Sequence, residues 1–323
     1  MTHVLVTGAS SGIGLEAARS WAAAGHRITA LCRNAERCEQ TRQWLLAAGG
    51  APERLDCIPA DLADLASVEQ ACQQLLAQGI PIESLVLNAG QQRAGARVPQ
   101  RSVQGVEITF AVNQLAHQWI ASRLLPLLYQ AKQPRLVITA SDVHNPATGG
   151  GRVGRPAGLG DLAGLRSGAS FVMVDGSDRF DGDKAYKDSK LCNVLLGREL
   201  SRQLGAAMPV ITWSPGLVIP RSRGGFFRHN RQSNPVAMAL FALLARDLFR
   251  VTESVQTAGG LLAQLAIDAA FHQPGFAYFS NSLVRPGLHR FASVATSAEG
   301  ADLAKATELW SLSDQLIRAA LFS

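Results

Sequence analysis

The stretch TGASSGIG, residues 7–14, decides the fold because it joins an apolar strand pattern to a helical one. It follows the run HVLVT at residues 3–7 and opens a helical pattern. Gly8 permits a tight turn, while Gly12 and Gly14 let the backbone approach a pyrophosphate and pack the new helix on the sheet. This strand–turn–helix context is typical of dinucleotide binding. We therefore expect cofactor contacts from Gly8, Ser10, Ser11, Gly12, Ile13 and Gly14.

Apolar runs alternate with helical patterns along the chain. Six short runs rich in Val, Ile and Leu are predicted to be buried strands: residues 3–7, 27–32, 55–60, 83–88, 135–140 and 209–213. Helical patterns lie between them, for example at residues 13–24 and 65–78. This alternation predicts an α/β fold, a doubly wound parallel sheet of the Rossmann type with helices on both faces. No linker or repeat divides the chain, so we expect a single domain over residues 1–323.

Two long segments interrupt this alternation, and each follows a predicted strand. Residues 145–183 are rich in Gly, Arg and Asp and form a long insertion. Residues 215–250 begin as a loop and continue into a short apolar helix, predicted at 236–249, which we expect to form a lid region. Ligands bind beyond the carboxyl ends of strands in such folds, and long loops in compact domains are usually functional or disordered.

Composition excludes several classes of protein. Of the 323 residues, 47% are hydrophobic and 17% charged, so a core can form and global disorder is not expected. Five cysteines without a CxxC pair predict neither a disulfide framework nor a metal site, and reduced thiols fit a cytoplasmic protein. No apolar run is long enough to span a membrane, and the first residues do not resemble a signal peptide.

The net charge of +6 needs an anionic partner to explain it. The arginines are scattered and no nucleic-acid-binding motif accompanies them, so we expect no nucleic-acid partner. An anionic cofactor, an acidic substrate or an anionic membrane surface explains the excess. The charge is therefore compatible with peripheral membrane contact, and the oligomeric state stays open.

The second predicted strand ends in LCRN, where NAD-binding proteins usually place an acid for the ribose 2′-hydroxyl. This chain has Arg33 there. Together with Ser10, Ser11 and His26, the arginine favours a 2′-phosphate and therefore NADP(H). Asp61, after the third strand, is expected to meet the adenine. Small residues let the cofactor lie close at the end of the fourth strand: Asn88, Ala89 and Gly90.

The segment FDGDKAYKDSKLCN, residues 180–193, gathers three of the five lysines around one tyrosine. Tyr186 and Lys190 are four residues apart and share one face of a helix. A cation beside a phenol lowers the pKa of the tyrosine toward working pH, so catalysis is one interpretation. A solvated, charged helix start is the other.

Over nearly its full length the chain resembles the short-chain dehydrogenase/reductase family. The motifs occur in order: TGASSGIG, LNAG at 87–90, Asn113 in VNQLAH, Ser141 in VITASDVHN, Tyr186-x-x-x-Lys190, and SPG at 214–216. The resemblance implies that Tyr186 exchanges a proton with the substrate and that Lys190 lowers its pKa and holds the nicotinamide ribose. It also implies that Ser141 polarises the substrate and that Asn113 steadies a water or the lysine. Two further residues would border the cofactor: Pro215 and Gly216.

A narrower resemblance is to light-dependent protochlorophyllide oxidoreductases. It rests on residues 143–146, 158–165, 172–195, 275–280 and 306–317. It implies a light-driven reduction of a tetrapyrrole pigment in chlorophyll biosynthesis, with a hydride from NADPH and a proton from Tyr186. It also implies a location in the cytoplasm, with contact to the surface of a photosynthetic membrane.

The chain departs from that pigment-enzyme family beside the substrate. Leu217 stands where those enzymes have a cysteine, and residues 218–221 lack their threonines. We expect a pocket that includes His144, Cys192 and Leu217, although Cys192 is equally compatible with the core. His117 is predicted to pack or to lie at the surface rather than to bind metal.

Two alternative functions remain open at this point. The first is a light-independent NADP(H) oxidoreductase acting on a carbonyl or alcohol of an apolar substrate. It is favoured by Leu217 and by the run SKLCNVLLGREL, residues 189–200, which is similar to retinol dehydrogenases. The second is a non-catalytic protein that binds NADP and pigment.

Overall fold

The computed structural model describes residues 1–219 and 242–322, together with Pro235 and Ala239. These residues contain an eight-stranded sheet with the strand order β3-β2-β1-β4-β5-β6-β7-β8. Neighbouring strands are parallel except for β7 and β8, which are antiparallel. The strands are β1 His3–Thr7, β2 Arg27–Cys32, β3 Leu55–Pro59, β4 Ser84–Leu87, β5 Arg135–Thr139, β6 Pro209–Ser214, β7 Gly275–Arg285 and β8 Leu288–Ser293. The predicted doubly wound α/β fold is confirmed.

Ten α-helices lie within the described residues. They are α1 Gly12–Ala23, α2 Ala35–Ala47, α3 Leu65–Gln78, α4 Ile108–Phe110, α5 Ala116–Tyr129, α6 Gly149–Arg152, α7 Ala163–Arg166, α8 Gly182–Leu204, α9 Val255–Ile267 and α10 Leu303–Phe322. Turns of π type occupy Ala111–Leu115 and Leu243–Leu248, and a 3₁₀ turn follows β5 at Asp142–His144. Most of the predicted lid helix at 236–249, and the loop before it from residue 220, lie outside the described residues.

The sheet separates two apolar cores because side chains alternate along each strand. In β1, Val4 and Val6 enter the core beneath α1, α2 and α9, whereas Leu5 enters the larger core beneath α3, α5 and α8. Both faces of the sheet are therefore covered, which explains why its central strands are continuous apolar runs.

The six predicted strands are present within one residue at each end, but β7 and β8 were not predicted. The second half of β7, SNSLVR, is polar or exposed, and every residue of β8 is exposed or half-buried. The short apolar run at residues 276–279 of β7 gives way to a polar stretch, and β8, the edge strand, has no apolar run that indicates a buried strand.

The insertion at 145–183 contains α6 and α7 and contributes apolar side chains to the larger core. These side chains pack in the same cluster as Ala306, Leu309 and Ile317 of α10: Ala157, Leu159, Leu162, Leu165, Phe171 and Val174. The insertion therefore supports the outer side of α8, the helix that carries Tyr186.

Candidate active site

The glycine-rich turn between β1 and α1 depends on its glycines. Gly8 and Gly12 have positive φ angles of 76° and 58°, which residues with a side chain rarely adopt. A Cβ on Gly14 would lie only 2.4 Å from the carbonyl oxygen of Gly8. Glycine is therefore required by the turn itself, and contact with a cofactor stays a prediction.

The amino end of α1 can accept an anion. Ser11 at the N-cap forms no side-chain capping bond, whereas Asn34 caps α2 and Asp64 caps α3. Within the described part of the chain, the first N–H groups of α1 thus lack the N-cap side-chain acceptor that the next two helices have. Because such groups bind phosphate and lie at the positive end of the helix dipole, this end fits a pyrophosphate. Two further predicted contacts lie half-buried there: Ser10 and Ile13.

Arg33 and this turn both lie at the carboxyl ends of the parallel strands. Thr7 pairs with Leu31 in the neighbouring strand, so the residues that follow β1 and β2 emerge together. The Arg33 side chain is exposed there. Asp61 follows β3, and its Oδ1 accepts the N–H of Ala63 at 3.0 Å.

The expectation for His26 is wrong. Its Nδ1 accepts the backbone N–H of Thr2 at 3.1 Å, which places the ring at the amino ends of β1 and β2, away from Arg33. The physical reason is that His26 precedes β2, whereas Arg33 follows it. His26 therefore lies away from the predicted 2′-phosphate site.

Thr7 joins three strand ends, a role that sequence reasoning missed. Its Oγ1 accepts the N–H groups of Asn88 and Ala89, each at 3.0 Å. Asn88 in turn accepts the hydroxyl of Thr139 at 3.2 Å, so the ends of β1, β4 and β5 are linked. In the sequence Thr7 is the last residue of a strand and the first of the glycine-rich motif, and neither position indicates these bonds. These bonds hold Ala89 against Gly8 of the glycine-rich turn, whereas Gly90 faces Asn113 and Lys190.

Ser141, Tyr186 and Lys190 come together above the end of β5. Lys190 Nζ lies 5.8 Å from the centre of the Tyr186 ring. Burial raises the pKa of Tyr186, and a hydrogen bond with Ser141 lowers it. Burial also lowers the pKa of Lys190 to about 7. The three side chains thus form a compact group in which a phenol, a hydroxyl and an amine can exchange protons.

The other two lysines of the cluster do not surround the phenol. Lys184 Nζ donates to Asp188 at 2.5 Å and to the carbonyl of Gly158 at 2.7 Å, and it pairs with Asp175 at 3.1 Å. Both Lys184 and Lys187 are buried, so the interpretation as a solvated helix start does not hold for them.

Lys187 holds the beginning of the insertion. Its Nζ donates to the carbonyl oxygens of Gly151 and Arg155, each at 3.1 Å, and also to that of Val153. The physical reason is helix geometry, because positions 184, 187 and 188 share one face of α8 while positions 186 and 190 share another. Two ammonium groups therefore fasten the insertion to the helix.

Asn113 lies in the π turn before α5 and is completely buried. Its Oδ1 accepts the N–H of Gln91 at 2.9 Å, and its Nδ2 donates to Ser189 Oγ at 2.9 Å. The side chain therefore links the loop after β4 to α8. Asn113 is connected to Lys190 indirectly. Asn193 Nδ2 donates to the backbone carbonyl of Asn113, and Asn193 Oδ1 accepts from Lys190 Nζ.

His144 and Cys192, both expected to line the substrate pocket, are buried. His144 Nδ1 donates to the Ser141 carbonyl at 2.7 Å, and its Nε2 accepts the N–H of Ser297 at 3.2 Å. Both ring nitrogens are thus used in holding the turn that carries Ser141. Cys192 is 0% exposed and lies in the larger core, where burial raises its pKa well above the ordinary value. The structure favours the core interpretation of Cys192.

The carboxyl end of β6 is followed by Pro215, Gly216 and Leu217. Gly216 has a φ of 78°, and a Cβ there would lie 2.6 Å from the carbonyl oxygen of Asn281. Leu217 is 37% exposed, which leaves its side chain accessible. Of the residues that replace the threonines of the pigment enzymes, those at 220 and 221 lie outside the described part of the chain.

A carboxylate held by hydroxyl groups adjoins Ser141, and the sequence contained no signal for it. Tyr278 and Ser280 of β7 donate to the two carboxylate oxygens of Asp142, at 2.9 and 2.6 Å. The Asp142 N–H donates to Ser214 Oγ at 3.0 Å. Recognising this network required the pairing of β6 with β7, which only the structure provides.

Within the described ranges, residues 1–219 and 242–322 with Pro235 and Ala239, no group of three or more His, Cys, Asp or Glu side chains could hold a metal ion. Likewise, none of the helices in these ranges is both long and apolar enough to cross a membrane. His117 is buried, and its Nε2 lies 3.1 Å from Thr7 Oγ1, so the expected packing role fits its position.

Comparison with known sequences shows similarity along nearly the whole chain. A family model described as short chain dehydrogenase matches residues 2–150. The protochlorophyllide reductase A of Oryza sativa is 34% identical over 331 residues, which cover 97% of this chain and 80% of the rice protein. The protochlorophyllide reductase of Avena sativa is 33% identical and is covered to 99%. That of Chlamydomonas reinhardtii is 33% identical and is covered to 77%.

Comparison with solved structures shows the same fold. The Pseudomonas aeruginosa RhlG/NADP active-site complex has a TM-score of 0.61 at 25% identity, and the match covers 87% of this chain and 94% of that one. A short-chain dehydrogenase/reductase of Caenorhabditis elegans, with cofactor, has a TM-score of 0.64 at 21% identity, with 88% and 94% covered.

Proposed function

The chain belongs to the short-chain dehydrogenase/reductase family as an NADPH-dependent oxidoreductase, and we propose that its reaction is the light-driven reduction of protochlorophyllide to chlorophyllide. One observation carries this proposal. The general family model matches only residues 2–150, whereas the protochlorophyllide reductases match 97% of the chain. The similarity to the pigment enzymes therefore extends through the insertion, the Tyr186 helix and the C-terminal helix.

The residues of the cofactor end fit a dinucleotide phosphate. The uncapped amino end of α1 would hold the pyrophosphate, and the exposed Arg33 would hold a 2′-phosphate. When bound, NADPH supplies a hydride. Gly8 and Gly14 leave no room for a side chain at the turn, which allows close approach of the cofactor.

The reduction of one carbon–carbon double bond needs a hydride and a proton. In the proposed reaction Tyr186 donates the proton from its hydroxyl to the ring carbon next to the one that receives the hydride. Ser141 is hydrogen-bonded to that hydroxyl and stabilises the phenolate that is left. Lys190, held 5.8 Å from the tyrosine ring centre, adds positive charge when it is protonated.

The light-independent reaction on an apolar carbonyl is the second candidate. Leu217 favours it, because an exposed leucine at the end of β6 replaces the thiol that the pigment enzymes carry there. The polar network of Asp142, Tyr278 and Ser280 lies close to Ser141, the residue expected to polarise a substrate oxygen. Both candidates use the same Tyr186 and Lys190, so the substrate decides between them.

The extent of the domain is also a proposal. One continuous apolar core contains Leu5 of β1, Leu159 of the insertion and Ile317 of α10. These distant parts of the chain support one another, so we propose a single catalytic domain over residues 1–323. We also propose that the domain contacts an anionic membrane surface, which is compatible with the net charge of +6.

The test is a single-flash experiment. Purified protein, NADPH and protochlorophyllide are mixed in darkness, and absorption is recorded before and after one flash. We expect a red shift to the chlorophyllide spectrum, and no shift for Tyr186→Phe although pigment binding persists. Conversion in darkness would remove the requirement for light.

The negative outcomes separate the remaining functions. Pigment binding without conversion in the unmodified protein would support a non-catalytic carrier, and Leu217→Cys would then test whether a missing thiol is the cause. Absence of pigment binding would reject the proposal. NADPH oxidation in darkness with retinoid or steroid carbonyls would then establish the second candidate.

A further inference from the structure

Lys190 is held by neutral oxygen atoms. Its Nζ donates to the carbonyl of Thr139 at 2.8 Å and to Oδ1 of Asn193 at 3.1 Å. The side chain of Lys190 is almost completely buried. Among the residues that the structure describes, no carboxylate forms an ion pair with it.

Asn193 connects this lysine to the π turn. Its Nδ2 donates to the backbone carbonyl of Asn113 at 2.6 Å, while its Oδ1 accepts from Lys190. The neighbours allow only this orientation of the amide, because the carbonyl can only accept and an ammonium can only donate. Asn193 is 0% exposed, so both bonds are shielded from water.

Another lysine on the same helix shows the alternative arrangement. Lys184 is also buried, but it is paired with the carboxylates of Asp188 and Asp175. The helix thus gives one buried lysine a counter-charge and the other an amide. An anion stabilises an ammonium more than a neutral acceptor does, so the amide leaves the Lys190 ammonium without that additional support.

We infer that Asn193 is a positioning residue for Lys190: its amide fixes the lysine between Thr139 and the π turn, and its neutrality leaves the lysine without a counter-charge. The titratable groups that face Lys190 agree with this role. Tyr186 lies beside it on α8, and burial keeps that phenol protonated by raising its pKa. His117 on α5 is neutral, because burial and the charge of Lys190 lower its pKa to about 3. Burial itself lowers the pKa of Lys190 to about 7.

The chain makes a direct test practical because it has only five lysines. Protein labelled with ¹³C at lysine Cε gives one NMR signal for each, and Lys190→Arg identifies the signal of interest by its loss. The cofactor-free protein is titrated from pH 5 to 10. We expect Lys190 to titrate near neutral pH, because burial lowers its pKa to about 7.

Asn193→Asp keeps the shape of the side chain and adds the missing counter-charge. We expect the Lys190 midpoint to rise by about one to three pH units. Gln78→Glu makes the same amide-to-carboxylate change at the exposed end of α3 and should leave the midpoint unchanged. A folded Asn193→Asp protein with an unshifted midpoint would overturn the inference.

A second variant keeps the test decisive if Asn193→Asp does not fold. Asn193→Ala removes an acceptor from the ammonium, so the midpoint should fall below that of the unmodified protein; an unchanged midpoint would again reject the role. The inference builds on the catalytic function proposed for Lys190, but the titration needs neither pigment nor light. Failure of the flash experiment and failure of this titration are therefore separate results.

Discussion

The hydroxyl of Tyr278 donates a 2.9 Å hydrogen bond to Asp142, the residue that follows Ser141 in the chain. This bond joins the candidate active site to the edge of the sheet, because Tyr278 lies on β7 and Asp142 on the turn after β5. Ser280 binds the other carboxylate oxygen. The conformation of Ser141 is therefore supported by a strand some 140 residues later in the chain.

Replacing this carboxylate should lower activity more than it changes the fold. In Asp142→Asn the hydroxyls of Tyr278 and Ser280 lose an anionic acceptor, at a cost of about 1–3 kcal/mol in the free energy of unfolding. We expect kcat to fall by roughly tenfold, since an energy of about 1.4 kcal/mol in positioning Ser141 corresponds to that factor. Stopped-flow or flash kinetics and thermal unfolding measure the two effects.

A control for this change is Ser282→Ala. Among the described residues, the Ser282 hydroxyl bonds to Ser280 at the outer end of the network and not to the Asp142 carboxylate. It should leave kcat nearly unchanged. Equal losses in Asp142→Asn and Ser282→Ala would show that the network supports β7 and not Ser141.

Arg33 should discriminate between the two nicotinamide cofactors. Its guanidinium is exposed beyond β2, where it can reach a 2′-phosphate. In Arg33→Ala we expect the Kd for NADPH to rise by about 10- to 100-fold, because a charge-assisted hydrogen bond contributes about 1.5–3 kcal/mol. The Kd for NADH should stay the same, as measured by cofactor fluorescence.

The control for Arg33→Ala is Arg318→Ala, which removes an exposed arginine from α10. It preserves the change in net charge but lies on the C-terminal helix. NADPH should bind this variant with unchanged affinity. An equal loss of NADPH and NADH affinity in Arg33→Ala would mean that Arg33 does not read the 2′-phosphate.

Replacing each of two helical glycines by alanine should have opposite effects on the protein. A Cβ at Gly14 would lie 2.4 Å from the Gly8 carbonyl, so Gly14→Ala must shift the turn and should abolish cofactor binding. At Gly260 in α9 a Cβ would meet nothing within 4 Å. Gly260→Ala should therefore stabilise the protein by about 0.5–1 kcal/mol through helix propensity. Calorimetric unfolding and NADPH titration of both variants test this contrast.

Local signals in the sequence predict the parts of the molecule that depend on local structure. The six predicted strands and the helix of Tyr186 carry apolar periodicity or a spaced motif, and they occur as expected. Lys184 pairs with Asp188 in its own helix, but its other partners and those of Lys187 come from the irregular insertion and were not predictable. The network at Asp142 depends on β7, whose polar residues conceal a strand.

The lowered pKa of Lys190 predicts how the stability of the protein depends on pH. Burial lowers this pKa from 10.5 to about 7, so the folded protein binds fewer protons here than the unfolded chain between those values. The unfavourable contribution of the buried ammonium is therefore greatest below about pH 7, and it declines as pH rises toward 10.5. Lys190→Met should raise Tm at pH 6, and its advantage over the unmodified protein should shrink by pH 10.

The expected increase is several degrees, because 1 kcal/mol shifts Tm by about 2–4 °C in a domain of this size class. Thermal unfolding followed by circular dichroism at pH 6, 8 and 10 measures it. The same variant should lose turnover, since the group that adds positive charge beside Tyr186 is gone. A Tm difference that is independent of pH would show that Lys190 does not titrate differently in the folded and unfolded states. A variant that is more stable yet inactive would instead show that this protein keeps a destabilising buried lysine because the reaction needs it.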